Sequence, residues 1–330
     1  MSKLQEVPIG AQPIDRYVQY VGEERVQMAK ARAEELRARL DGRVVWHVNS
    51  TSQGGGVAEM LRSLLPYPRA LGIDTRWLVI FGEPEFFRLT KRLHHVLHGS
   101  AGDGGPLGPH ERKVYDAVAH ENADELLGLV RERDIVILHD PQTAGLIPHL
   151  NRAGATVVWR CHIGQELPNP LVESGWDFLT PYLEAAKATV FSRDAYIPPC
   201  CDNGRSSVIY PSLDPFSPKN QELDEATVRA VLVHTGLVEG PPGDGVPAFH
   251  HEDGSPARVD RRADVVRLGR APSWETPLVV QISRWDALKD HLGVLRGFAD
   301  LVNGAAPADA ELVLAGPSVE SIVDDPEQAD

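Results

Sequence analysis

The chain has 330 residues, a formal net charge of −14, and 42% hydrophobic against 24% charged residues. That length accommodates two domains of ordinary size, while no apolar run approaches the roughly 20 residues needed to cross a bilayer. The acidic balance excludes a general phosphate-backbone surface, so neither nucleic acid nor membrane is expected as a partner. The N-terminus, Met-Ser-Lys-Leu-Gln-Glu, lacks the apolar centre of a secretory signal, and a cytoplasmic protein is expected. The three cysteines, Cys161, Cys200 and Cys201, have neither metal-site nor disulfide-framework spacing and read as reduced, packed thiols.

Taken in chain order, residues 14 to 41 carry a narrow apolar stripe amid dense Arg and Glu, which predicts one or two helices in an N-terminal helical arm, 1–42. From Arg43 strands and helices alternate. Strands are predicted at 43–48, 75–81, 134–139, 156–161, 189–192 and 207–210, and helices at 57–71, 84–98, 110–132, 143–152 and 176–187. This alternation predicts a doubly wound parallel sheet over a first domain, 43–215. A helix near 219–235 and a Gly/Pro/His-rich stretch, Gly236 to Ser255, fall in a linker or insertion, 216–275. A second domain, 276–330, opens with a buried strand Leu278 to Ile282, a helix 290–303 and a strand 311–315.

The segment from Pro277 to Asp290 is the most telling. An apolar strand runs into a turn carrying Arg284 and Lys289, ahead of a helix. At the carboxyl end of a parallel strand, where the next helix aims its free N–H groups, two cations suit an anionic phosphate; solvated surface charge is the plain alternative. Gly54-Gly55-Gly56 stands between the first strand and its helix, where glycine lets backbone N–H groups approach a ligand. It is not the dinucleotide fingerprint, because Glu59 replaces the third required glycine, and a nicotinamide dehydrogenase is disfavoured. His139 and Asp140 end one strand, Arg160 and His162 another, on the same carboxyl edge. A sugar, with many hydroxyls and no charge, is recognised by a few such fixed donors and acceptors. The remaining histidines lack ligand spacing, so no metal site is expected, and Asp324-Asp325 reads as a surface turn.

Several segments in order carry a family resemblance: Val45 to Glu59, Leu138 to Gln142, Val158 to Ile163, Ile209 to Pro215, and Ser283-Arg284 with Lys289-Asp290. Together they resemble the trehalose synthase branch of glycosyltransferase family 4, over roughly residues 40 to 330. The resemblance implies an α/β fold of GT-B type, two doubly wound Rossmann-like domains facing a cleft. It implies a retaining glucosyltransferase that makes trehalose from a nucleoside-diphosphate glucose (ADP-, UDP- or GDP-linked) and glucose, without a metal ion or other cofactor. It assigns Arg284 and Lys289, with Gly54, Gly55 and Gly56, to the donor diphosphate. His162 goes beside the transferred sugar, and Asn49, His139, Asp140, Gln142 and Arg160 to the sugar side. A homodimer is left open as the assembly.

The family pattern also asks for two glutamates seven residues apart after Lys289, and this sequence has no such pair. A relative is expected to continue for about 80 to 100 residues more, so the second domain is expected to be incomplete and the chain as it stands weak in transfer. A trehalose phosphorylase of the same fold is the nearest alternative. A non-catalytic sugar-binding or regulatory protein is the alternative of another class.

Overall fold

A computed structural model describes residues 3–251, 253–304 and 309–317. Within them one compact unit runs to Leu213 and a second begins at Asp214. In the first, β1 (Gln5–Val7) is followed by α1 (Val18–Val21) and α2 (Glu23–Leu40). Then come β2 (Val45–Asn49), α3 (Gly56–Leu64), α4 (Pro66–Ala70), β3 (Thr75–Val79), α5 (Pro84–Leu97) and α6 (Pro109–Leu126). β4 (Ile135–His139), α7 (Ile147–Arg152), β5 (Thr156–Cys161), α8 (Pro170–Leu183), β6 (Ala188–Phe191) and β7 (Ser206–Val208) complete it.

These seven strands form one sheet in the order β1-β3-β2-β4-β5-β6-β7. All neighbours are parallel except β1, which runs antiparallel along β3. The expected helical arm therefore begins with an edge strand, because Gln5–Val7 is too short to declare itself and takes its conformation from pairing with β3. Strand order reverses between β2, which leads outward to β3, and β4, which leads to the other edge. That reversal opens the crevice where open α/β sheets receive ligands, between the chains leaving β2 and β4.

Side chains alternate across the sheet. Trp46 and Val48 of β2, Val136 and Leu138 of β4, and Trp159 and Cys161 of β5 enter the main core beneath α5, α6 and α8. His47 and Asn49 point to the opposite face, where Trp77 and Val79 pack on Ala58, Leu61 and Leu65. At the amino ends of the strands the buried Asp134 carboxylate accepts from Val44 N, Trp46 Nε1 and Arg131 N, each at 3.0 Å, and pins β2 to β4. After β4 the chain enters a tight 3-10 turn, Pro141–Leu146, in place of the first part of the helix expected from 143. Its hold is Tyr115, whose buried hydroxyl donates to Pro141 O and accepts from Gly145 N at 3.0 Å. α8 starts six residues earlier than expected, capped by the Asn169 side chain with Pro170 in the first turn.

In the second unit Asp224 caps α9 (Glu225–Thr235), and Gly236 in the left-handed region ends it. The Gly/Pro/His-rich stretch contributes β8 (Ala248–His250), which pairs antiparallel with β9 (Pro256–Arg258) just beyond it. β10 (Leu278–Ile282) pairs in parallel with β11 (Glu311–Ala315), and α10 (His291–Gly304) connects them. These elements fall where they were expected, but β10 is not buried: Ile282 is 81% exposed.

Tyr115→Phe is expected to remove the hydroxyl's two buried hydrogen bonds, to the Pro141 carbonyl and from the Gly145 N–H. Stability should fall by about 1–3 kcal/mol; an unchanged denaturation midpoint would show that this hydroxyl does not hold the turn.

Candidate functional site

Three imidazoles stand in a row across the crevice edge of the first unit. His47 lies on β2, His139 ends β4, and His162 directly follows β5. His47 Nδ1 is 3.0 Å from His139 Nε2, and His139 Nδ1 is 3.0 Å from His162 Nε2. The rings lie nearly parallel, 20° and 17° apart, with both centroid separations 5.3 Å. Parallel register brings this about: His47 pairs with Ile137, two residues before His139, and His139 pairs with Arg160. His47 and His139 are buried, with 7% and 1% exposure, whereas His162 is half-exposed.

Burial is the main reason that all three resist protonation. His47 is lowered to about 3 by desolvation and then by the Arg160 charge. His139 is held well below the usual imidazole range by desolvation and by its charged and imidazole neighbours. His162 is lowered by desolvation and partly restored by Asp140. Desolvation likewise raises the Asp140 carboxyl and lowers the Arg160 guanidinium.

Asp140 is the joint of the cluster. Its φ of 62° and ψ of 175° lie in a region that glycine tolerates and other residues occupy under strain. Hydrogen bonds hold it there: Asp140 N donates to Arg160 O at 2.9 Å, and Asp140 Oδ1 accepts from His162 N at 2.7 Å. Its carbonyl also accepts from Trp159 Nε1 at 3.1 Å. Among the described residues Arg160 Nε is buried without a hydrogen-bond partner, an open donor beside this carboxylate. Gln142, on the turn that follows, is half-exposed.

Asn49 is an interior residue. Its side chain is 3% exposed and used at both ends, accepting from Trp77 Nε1 at 2.7 Å and donating to Thr51 O at 2.6 Å. It shapes the start of the glycine loop from within. His139 is also interior, with each ring nitrogen engaged by another histidine. His47, absent from the expected site, completes the row. Gly54 and Gly55 have φ of 70° and 76° and lead into α3. A Cβ built at Gly55 or Gly56 would meet nothing within 4 Å, so the loop is open.

Residues 47–198 match the family model of the trehalose synthase N-terminal domain. That match lies wholly within the first unit. Over 232 residues the chain is 37% identical to the trehalose synthase of Pyrococcus horikoshii, covering 70% of this chain and 53% of that one. Over 297 residues it is 32% identical to that of Rubrobacter xylanophilus, covering 89% of this chain and 60% of that one. The chain thus spans a little over half the length of these relatives. Among solved structures it is similar to an α,α-trehalose-phosphate synthase (UDP-forming) from Burkholderia vietnamiensis. The TM-score is 0.54 at 15% identity, over 85% of this chain and 66% of that one, a likeness of GT-B fold. The trehalose synthase family segment contains His47, His139, Asp140, Arg160 and His162, so the strand-end cluster lies wholly inside it.

In the second unit the two expected cations follow β10. Arg284 is not a bare charge: its Nη2 is 3.3 Å from Oδ2 of the buried Asp286, whose Oδ1 accepts from Leu288 N. Lys289 closes a 3-10 turn, Ala287–Lys289, and its side chain is exposed. No three His, Cys, Asp or Glu residues gather as a metal shell among the described residues. No helix among them is long and apolar enough to cross a membrane. Asp324 and Asp325 lie outside the described residues.

Two outcomes are expected. The unfolded chain binds protons below the ordinary histidine value of 6.5, while the folded one, with His47 at about 3, does not. Stability should therefore fall as pH drops from about 6.5 toward 5, by up to ~1.4 kcal/mol per pH unit for each ring that stays neutral; denaturation midpoints that do not move over this range would contradict the buried neutral row. For Asp140, Ala and Gly substitutions lose the same carboxylate, but only Gly relieves the backbone. Asp140→Gly should be more stable than Asp140→Ala by about 1–2 kcal/mol, and equal melting curves would remove the claim of strain.

Proposed function

We propose that the protein carrying this chain is a retaining glucosyltransferase that joins the glucose of a nucleoside-diphosphate glucose to free glucose, giving trehalose. The observation that carries this reading is the Asp140, Arg160 and His162 cluster at the carboxyl ends of β4 and β5, beside the strand-order reversal of a domain similar to the trehalose synthases. A half-exposed imidazole, a carboxylate and a partly exposed guanidinium are the donors and acceptors that hydroxyl recognition needs. In this proposal His162 meets the transferred sugar, while Asp140, Arg160 and Gln142 line the sugar side.

Reaction on one face of the sugar needs no side-chain nucleophile. The bond from C1 to the diphosphate oxygen breaks, the acceptor oxygen bonds to C1, and the acceptor proton passes to the departing phosphate. What the protein must supply is stabilisation of that phosphate, the role proposed for Arg284 and Lys289 of the second unit and for the N–H groups of Gly54, Gly55 and Gly56. Positive charge fixed in advance where negative charge develops is worth several kcal/mol, which supports a reaction without a metal ion. The Asp286 carboxylate supports this role by holding the Arg284 fork in one orientation.

The test supplies ADP-, UDP- and GDP-glucose in turn with labelled glucose and assays for trehalose. One donor is expected to give product. Arg284→Ala and Lys289→Ala should each lower kcat by about 10²- to 10³-fold, because each removes a contact made to the leaving group. The melting temperature should scarcely change for Lys289→Ala, whose exposed cation adds little to folding, and fall more for Arg284→Ala, which removes an ion-pair partner of the buried Asp286. His162→Ala should reduce transfer while sparing affinity for the free nucleoside diphosphate. Absence of trehalose with every donor, together with no calorimetric binding of glucose, would refute the proposal.

A further inference from the structure

The row of histidines carries more information than its members singly. A neutral imidazole has one N–H and one bare nitrogen. At each 3.0 Å nitrogen-to-nitrogen contact one ring must donate and the other accept. If His47 donates from Nδ1, His139 accepts at Nε2, so its proton is on Nδ1 and is given to His162 Nε2. His162 then carries its proton on Nδ1. Run in reverse, all three protons are on Nε2, and His162 Nδ1 is bare. A mixed row would set two N–H groups or two lone pairs face to face in a buried place, which costs far more than an ordinary bond gains.

We propose that His47 and His139 are positioning residues: the row adopts one shared tautomer, which decides whether His162 offers a donor or an acceptor to a sugar hydroxyl. The contact with sugar rests on the function proposed above; the shared tautomer does not. The charged or titratable groups around the row are Arg160 on β5, Asp140 on the turn after β4, and His98 at the end of α5, whose charge is felt at Asp140. None stands between the rings. His47 thereby affects a half-exposed ring that it never touches.

The experiment is 15N–1H long-range correlation on the histidine-labelled chain at pH 7, which separates Nδ1–H from Nε2–H rings. Three neutral rings with one common tautomer are expected at His47, His139 and His162. Different tautomers, or a protonated ring, would overturn the proposal whether or not the protein makes trehalose. His47→Phe removes the partner of His139 and should alter the tautomer balance seen at His162. His47→Asn, whose amide replaces Nδ1 and bonds in either sense, should keep His139 paired. An unchanged His162 in the Phe variant would also overturn it. Should the Phe variant not fold, the unsubstituted chain alone decides. Where transfer is measurable, His47→Phe is expected to lower kcat up to about 100-fold with the nucleoside-diphosphate affinity unchanged, and the Asn variant to recover part of the loss. A shared tautomer in a protein that transfers no glucose would defeat the proposed function and leave the relay standing.

Discussion

Burying imidazoles on adjoining parallel strands obliges them to satisfy one another, and much of the first unit is arranged around that demand. Water is not at hand for His139, so its two nitrogens need partners from β2 and from the chain leaving β5. Such partners meet only if the register of three strands is right. The Asp134 clamp sets that register at one end and the Asp140 carboxylate at the other. A slip of one residue would turn His47 into the main core and bring Trp46 out of it.

The same burial governs charge. Desolvation raises the Asp140 carboxyl and lowers the Arg160 guanidinium, so each ionised form depends on the other's field. The result is an edge dominated by directed donors and acceptors, where a carboxylate and a guanidinium offset one another. The second unit has the opposite character. Its cations lie on a turn beside an exposed strand, where a carboxylate orients Arg284 and Lys289 extends into solvent.

How much of this was legible in the sequence depends on the range of the deciding interaction. β5 and β10 were readable to the residue because short apolar runs bounded by polar turns are local signals. Asn169-Pro170 was also a local signal for the start of α8, six residues ahead of the helix expected from 176. β1 and the 3-10 turn after β4 are products of tertiary contact, with β3 and with Tyr115, and no window of sequence contains both partners. The site divides along the same line. Asp140, Arg160 and His162 were visible as polar residues ending apolar strands. His47 was hidden because its meaning depends on sharing a face with His139, a fact of cross-strand register. The exposure of β10 is likewise a property of what packs on it rather than of its own residues.

The glycine loop has a consequence for the thermodynamics of any guest that it receives. Thr51 Oγ1 donates to Gln53 O and accepts from Gln53 N, Asn49 grips Thr51 O, and Arg62 reaches back to Ser52 O at 2.6 Å. The approach to Gly54 is thus already folded on itself before a ligand arrives. Little conformational entropy remains to be lost there on binding. Association at this edge should resemble docking onto a rigid surface, with rates set by encounter and a heat-capacity change no larger than the ligand's own buried area requires.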